Sequence, residues 1–211
     1  MMARLFSGIE MTMYNTVAVA NSFIARALSE QAPDLSPPKL HELVYLAHGW
    51  YIGKSGEPLI AGQVAAFRDG VLVPELREQG CWGTRRIDAP ISLFTPDAEG
   101  NMKSTAPRLN ETAPLRSLLD WVWQTFGALT SFELSSLVRE ADGPWDKVWH
   151  HPSRTSEEPY DIPFELLKKW FTAEVLLNQA RGKIEPGQSQ VDRETTQRFE
   201  RPPSSDDLRP V

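Results

Sequence analysis

Ser36-Pro37-Pro38-Lys39-Leu40-His41-Glu42-Leu43-Val44-Tyr45-Leu46-Ala47-His48-Gly49-Trp50-Tyr51 decides how the rest of the chain is read. Ser36 can cap a helix, its oxygen accepting from free backbone N–H groups, and two prolines fit a first turn whose donors have no partner. Leu40, Leu43, Val44, Ala47 and Tyr51 recur at the three-and-four spacing of one buried face. The spacing predicts a helix at the centre of the core. Gly53 is its expected end, and 54–58 reads as a turn.

Helical patterns flank this segment. Thr16 to Glu30, with Asn15 as cap, places Ala20, Phe23, Ile24, Ala27 and Leu28 on one face. Pro114 opens another, with Leu115, Leu118, Leu119, Val122, Trp123 and Phe126 as its stripe. Thr130 and Glu133 form a capping box ahead of Leu134, Leu137 and Val138. Asp142-Gly143-Pro144 breaks that helix, and Trp145 begins a short aromatic turn to Trp149. The last helix is expected from Asp161, with Pro163 in its first turn.

Between 59 and 92 the pattern is extended. Asp69-Gly70 signals a turn, Val71-Leu72-Val73 is apolar, and Pro74 starts a short helix to Glu78. Residues 80–83 read as a loop, and polar 97–112 as a mobile excursion. From 182 to 211, four prolines and few large apolar residues predict disorder, because burial there cannot offset ordering entropy. The expected fold is mainly α: a single compact helical domain, 14–179, with a small extended insertion and a disordered C-terminal tail, 182–211.

The 211 residues are 41% hydrophobic and 24% charged, the balance of a globular protein. One cysteine, Cys81, excludes an internal disulfide, so a reducing cytoplasm is the expected location. No run resembles a signal peptide or a membrane span. The net charge of −6 disfavours nucleic acid as a partner, because phosphate-binding surfaces lean basic.

No catalytic set is assembled. Gly53-Lys54-Ser55-Gly56 lacks phosphate-loop order. Gln79-Gly80-Cys81-Trp82 lacks the wider context of a cysteine nucleophile. His41 and His48 stand about 10 Å apart along a helix axis, too far to share a metal, and read as hydrogen-bonded histidines beside the apolar stripe. His150 and His151 are adjacent and point in different directions. Asp69, Glu75, Glu140 and Asp146 read as turn and surface residues. No metal or cofactor is expected. Of seven tryptophans, Trp50, Trp121, Trp123 and Trp170 fall on helices and read as core, whereas Trp82, Trp145 and Trp149 fall in loops or short turns. For those three an interface competes with packing.

The order of segments resembles the Panacea domain, the SocA-like family of bacterial and phage antitoxins once called phage-associated proteins. The resemblance begins at Val19-Ala20-Asn21-Ser22-Phe23-Ile24 and is most specific over 35–51. There the family reads as a Thr or Ser cap, Lys-Leu, an apolar-Tyr pair, and Ala-x-Gly before an aromatic. Ala66-Phe67-Arg68-Asp69-Gly70-Val71-Leu72-Val73-Pro74 is similar to the family's Ala-Trp-x-x-Gly-Pro-Val-x-Pro, with Phe67 for Trp and Val71 for Pro. Gly143-Pro144-Trp145, Asp161-Ile162-Pro163 and Phe171 resemble its Pro-Trp and closing helix; Val138-Arg139 replaces the usual Thr-His.

The resemblance implies a mainly helical antitoxin that neutralises a cognate protein toxin, encoded beside it, by direct binding. Protein capture needs an aromatic or Arg anchor in a polar rim. The candidate partner-binding residues are Trp145, with Trp149 one helical turn away, and Arg68 and Asp69 at the turn. Two alternatives stand beside this. One is an adaptor delivering a toxin to a protease, with 182–211 as tether. The other is an uncharacterised enzyme with a pocket near Cys81 and Asp146.

Overall fold

The computed structural model describes residues 13–31, 35–83 and 85–180. The expected tail, 182–211, lies outside them. Among the described residues there are seven helices: α1 (Thr16–Ser29), α2 (Pro37–Ser55), α3 (Pro74–Glu78), α4 (Ala113–Phe126), α5 (Ser131–Val138), α6 (Pro144–Trp149) and α7 (Phe164–Ala180). Five short strands join them: β1 (Ala65–Phe67), β2 (Gly70–Leu72), β3 (Leu93–Pro96), β4 (Met102–Thr105) and β5 (Tyr160–Asp161). The described part is mainly α, as the sequence pattern predicts.

Helix α2 is the hub. Leu40, Leu43, Val44 and Ala47 are fully buried, and so are Lys39, His41, Glu42 and His48 on its other sides. A helix buried all round needs neighbours on every side. Helices α1, α4, α5 and α7 and strand β2 supply them. The helix runs two residues past the expected stop at Gly53 and ends at Gly56, whose φ is +78°. The reason is α7. A Cβ on Gly49 would strike the Phe171 ring, and one on Gly53 the Phe171 carbonyl. The two glycines lie one helical turn apart and form the seat on which Phe171 rests.

Caps follow the sequence in two cases and depart in one. The Asn15 side chain accepts from the Ala18 N–H at 2.9 Å. Thr130 and Glu133 close a reciprocal capping box. Ser36 makes no side-chain cap bond; its hydroxyl pairs with that of Ser131, at the start of α5, at 2.7 Å.

Strand β1 lies at the centre of an antiparallel sheet in the order β2-β1-β5. Its register is Ala65 with Leu72 and Asp161, and Ala66 with Val71 and Tyr160. Asp161 is therefore a strand residue, and α7 starts three residues later than expected. The excursion at 97–112 holds a second correction. Strand β3, just before it, and β4, within it, pair as a hairpin, with Phe94 opposite Ser104 and Pro96 opposite Met102. Both of its legs are tied to α1. The Asn21 amide accepts from the Ile91 N–H at 2.8 Å and donates to the carbonyls of Ile91 at 2.9 Å and Pro107 at 3.0 Å. Among the described residues no helix is long and apolar enough to cross a membrane.

Candidate functional site

Arg68 and Asp69 form the turn between β1 and β2, where Phe67 pairs with Gly70. Their side chains are 70% and 76% exposed and face each other at 3.5 Å. So exposed an ion pair adds little to stability. The turn is held from inside by Trp145. Its indole N–H donates to the Phe67 carbonyl at 2.8 Å and the Gly70 carbonyl at 2.7 Å.

The four residues singled out in the sequence thus meet, but in different roles. Trp145 is 5% exposed and Trp149 is 9% exposed. Of the two readings open for them, interface and packing, their burial is that of packing: the indole of Trp145 has spent its one donor on the hairpin, and its ring is packed away. Trp149 stacks on Trp145 with centroids 5.8 Å apart and planes 19° apart. It meets Phe67 edge-on at 6.4 Å, and the Arg154 guanidinium covers its ring at 3.2 Å. The aromatic turn from Trp145 to Trp149 is an internal brace for an external turn.

Of the three tryptophans outside the long helices, the exposed one is Trp82, at 49%. Helix α3 ends in a Schellman motif: the Gly80 N–H reaches the Arg77 carbonyl and the Cys81 N–H the Leu76 carbonyl, each at 3.0 Å. That reversal carries Trp82 back over its own helix. Arg77 caps the indole at 4.7 Å, a cation–π distance, and the half-buried Phe67 ring lies 5.8 Å away. A shallow groove of about 390 Å³, lined by Leu72, Pro74, Arg77, Glu78 and Pro159, opens beside Arg77. Trp82 was visible in the sequence as a loop tryptophan; its neighbours Arg77 and Phe67 were not, because the fold brings them together from two other elements.

Buried polar groups on α2 support this face. His41 Nδ1 accepts from the Val73 N–H at 3.0 Å, so its Nε2–H donates to the Cys81 carbonyl, also at 3.0 Å. One ring therefore fixes both ends of α3, and burial holds its pKa below the usual histidine value. His48 Nδ1 takes the N–H groups of Leu59 at 3.3 Å and Ile60 at 3.4 Å, and burial pushes its pKa down to about 4. Both histidines are neutral scaffold. The Glu42 carboxyl is buried beside Gly70; Oε1 accepts from the Ser135 hydroxyl, and Oε2 has no hydrogen-bond partner. Burial pushes it up to about 8, against the pull of the Ser135 bond and the Arg139 charge. Gly70, with φ +148°, has no room for a Cβ: it would meet Glu42 Oε1 at 2.7 Å.

Cys81 is buried, and burial pushes its thiol up to about 11, so it is protonated at neutral pH and is a poor nucleophile. Asp146 is hydrogen-bonded to His150 Nδ1 at 2.7 Å and to the Asp142 N–H at 3.0 Å, which hold its pKa below the ordinary carboxylate value. Neither residue lines the groove. No His, Cys, Asp and Glu cluster able to hold a metal occurs among the described residues.

Compared with known protein families, curated proteins and solved structures, the chain matches none.

Proposed function

We propose that this protein works by capturing another protein, a toxin encoded beside it, in a stable complex that blocks the toxin. The observation that carries the reading is the half-exposed Trp82, with the Arg77 guanidinium over its ring and Phe67 beside it, Arg77 also lining an open groove. An aromatic and an arginine on a rigid support are the groups that dominate protein–protein binding energy, and a polar rim keeps water from them. Arg68, Asp69 and Glu78 provide that rim, all three exposed. Trp145 and Trp149 serve the face from within. The Panacea-like order of segments supplies the toxin as the kind of partner.

The test is co-expression with the neighbouring gene, followed by pull-down and growth measurement. Wild type should bind and restore growth. Trp82→Ala should keep its melting temperature and lose on the order of 2 kcal/mol, or about 30-fold, in affinity. Wild type that neither binds nor rescues ends the antitoxin reading. A Trp82→Ala protein that binds as wild type moves the interface elsewhere. Rescue that depends on a cellular protease replaces blockade by delivery for degradation.

A further inference from the structure

Every residue of β4 is exposed, and the turn before it fixes which of its backbone groups face outward. The Asp97 N–H donates to the Asn101 carbonyl at 2.8 Å and the Gly100 N–H to the Asp97 carbonyl at 3.0 Å, with Gly100 at φ +84°. Asp97 and Asn101 are thus a hydrogen-bonded pair, and in an antiparallel ladder such pairs alternate with non-bonded ones. Counted back along the register, Lys103 and Thr95 bond to each other. Met102, opposite Pro96, and Ser104, opposite Phe94, turn their N–H and C=O groups away from β3. The outer edge of β4 therefore presents two donors and two acceptors. The outer edge of β3 is poorer by one donor, because Pro96 has no N–H.

We propose that the outer edge of β4 receives an extended strand from a partner protein, with a carboxylate opposite Lys103 and an apolar side chain against Met102. N–H and C=O groups open at every second residue are the template that another strand completes. The two-residue period sets the side chains. Met102 and Ser104 share one face with Phe94 and Pro96, and Lys103 shares the other with Thr95 and Thr105. A strand that alternates apolar and acidic residues matches both faces. In the added ladder Lys103 falls at a non-bonded pair, where facing side chains come closest, so its charge selects the partner. Lys103 has no ion pair among the described residues. Asp97, on the same face, spends its Oδ1 on the N–H groups of Glu99 at 3.1 Å and Asn101 at 2.8 Å. A second copy fits this edge less well. The self-paired register that sets Met102 against Ser104 on both sides places Lys103 opposite its own image, and like charges directly opposite destabilise a sheet. A lysine on an edge strand is a guard against that pairing.

This edge shares no residue with the groove beside Trp82, so the two assignments fail separately. The experiment is an NMR titration of the ¹⁵N-labelled full chain at low ionic strength, following the backbone amides of Met102, Lys103 and Ser104. The probes are acetyl-Thr-Val-Glu-Val-Thr-amide and the same peptide with lysine in place of glutamate. The glutamate peptide should shift the Met102 and Ser104 signals saturably, with a Kd on the order of 1 mM for so short a strand, and slow their hydrogen exchange. Lys103, whose N–H is already bonded to Thr95, should move less. The lysine peptide should bind about fivefold more weakly, the scale of attraction exchanged for repulsion in one cross-strand pair. Lys103→Glu, at an exposed position, should reverse the order of the two peptides. Ser104→Pro removes an outward donor, which an edge strand tolerates, and should abolish binding. Trp82→Ala should leave the titration unchanged. Absence of saturable shifts at Met102 and Ser104, equal binding of the two peptides to wild type, or an unreversed order in Lys103→Glu would each overturn the proposal. Shifts of the same amides on concentrating the protein without peptide would give the edge to a second copy and overturn it as well. The Lys103→Glu comparison stands whether or not Ser104→Pro folds.

Discussion

Trp145 holds Gly70 in place: its indole N–H donates to the Gly70 carbonyl at 2.7 Å while shared with that of Phe67 at 2.8 Å. A short helix late in the chain thereby sets the shape of a turn 75 residues earlier.

Trp145→Phe keeps most of the apolar ring and removes the donor. It should cost about 1–3 kcal/mol, since two carbonyls lose their partner behind the turn. Trp145→Ala should cost about 3–5 kcal/mol through the cavity it leaves. Urea unfolding checks both. If Phe is as stable as Trp, the indole bond does not hold the hairpin.

Glu42 makes stability fall as pH rises from the acid side to about 8. Its pKa is raised to about 8 in the folded chain from an ordinary 4.5, so the folded state holds a proton that the unfolded state has released. The associated stability is complete below pH 4.5 and is lost as pH rises through about 8. Within that window the Glu42 contribution approaches ~1.4 kcal/mol per pH unit. Glu42→Gln should flatten the fall in melting temperature between about pH 4.5 and 8.

His48 tilts the other limb. Its pKa falls to about 4 from an ordinary 6.5, so the unfolded chain takes up the proton first. The stability it confers is complete above pH 6.5 and is lost as pH falls through about 4. His41, shifted in the same direction by burial, adds to this limb. His48→Gln should reduce the loss of stability between those two pH values, read by the same melts.

Gly49→Ala and Gly53→Ala test the seat of Phe171. In an open helix, alanine for glycine gains about 1 kcal/mol. Here the added methyl strikes α7, so each change should instead cost about 1–3 kcal/mol. A gain in melting temperature at either position would separate α7 from α2.

Asn21→Ala releases both legs of the β3–β4 hairpin. Amide hydrogen exchange should speed up across 91–107 and stay slow in α2. Uniformly faster exchange would make Asn21 a core residue of the helices rather than a clamp.

Local signals explain which parts of the fold were readable. Thr130 with Glu133, Asn15 before α1 and the prolines opening α2, α3 and α4 act within one turn of their own helix, so the residues carry the message alone. The strands were harder. Three residues of β1 hold too little alternation to declare a partner, and β5 needs β1 before it is a strand at all. Gly53 reads as a stop by composition, and only the approach of Phe171 turns it into a contact surface. At the candidate face, Arg68 and Asp69 were legible from the turn they make. The exchange of roles between Trp82 and Trp145 was not, because an indole's burial depends on which carbonyls the fold brings to it.

The Asn21 clamp also has a mechanical side. From Ile91 to Asp97 the first leg of the hairpin spans roughly 20 Å at strand rise. Asn21 stands at its fulcrum; Phe94, 66% exposed, rides midway along the leg, and Met102, 64% exposed, rides near the far end. A rotation of about 10° at the base sweeps the tip through roughly 3 Å, from the same strand length. Leverage of this kind gives those two side chains a reach that no residue bolted to the helices shares.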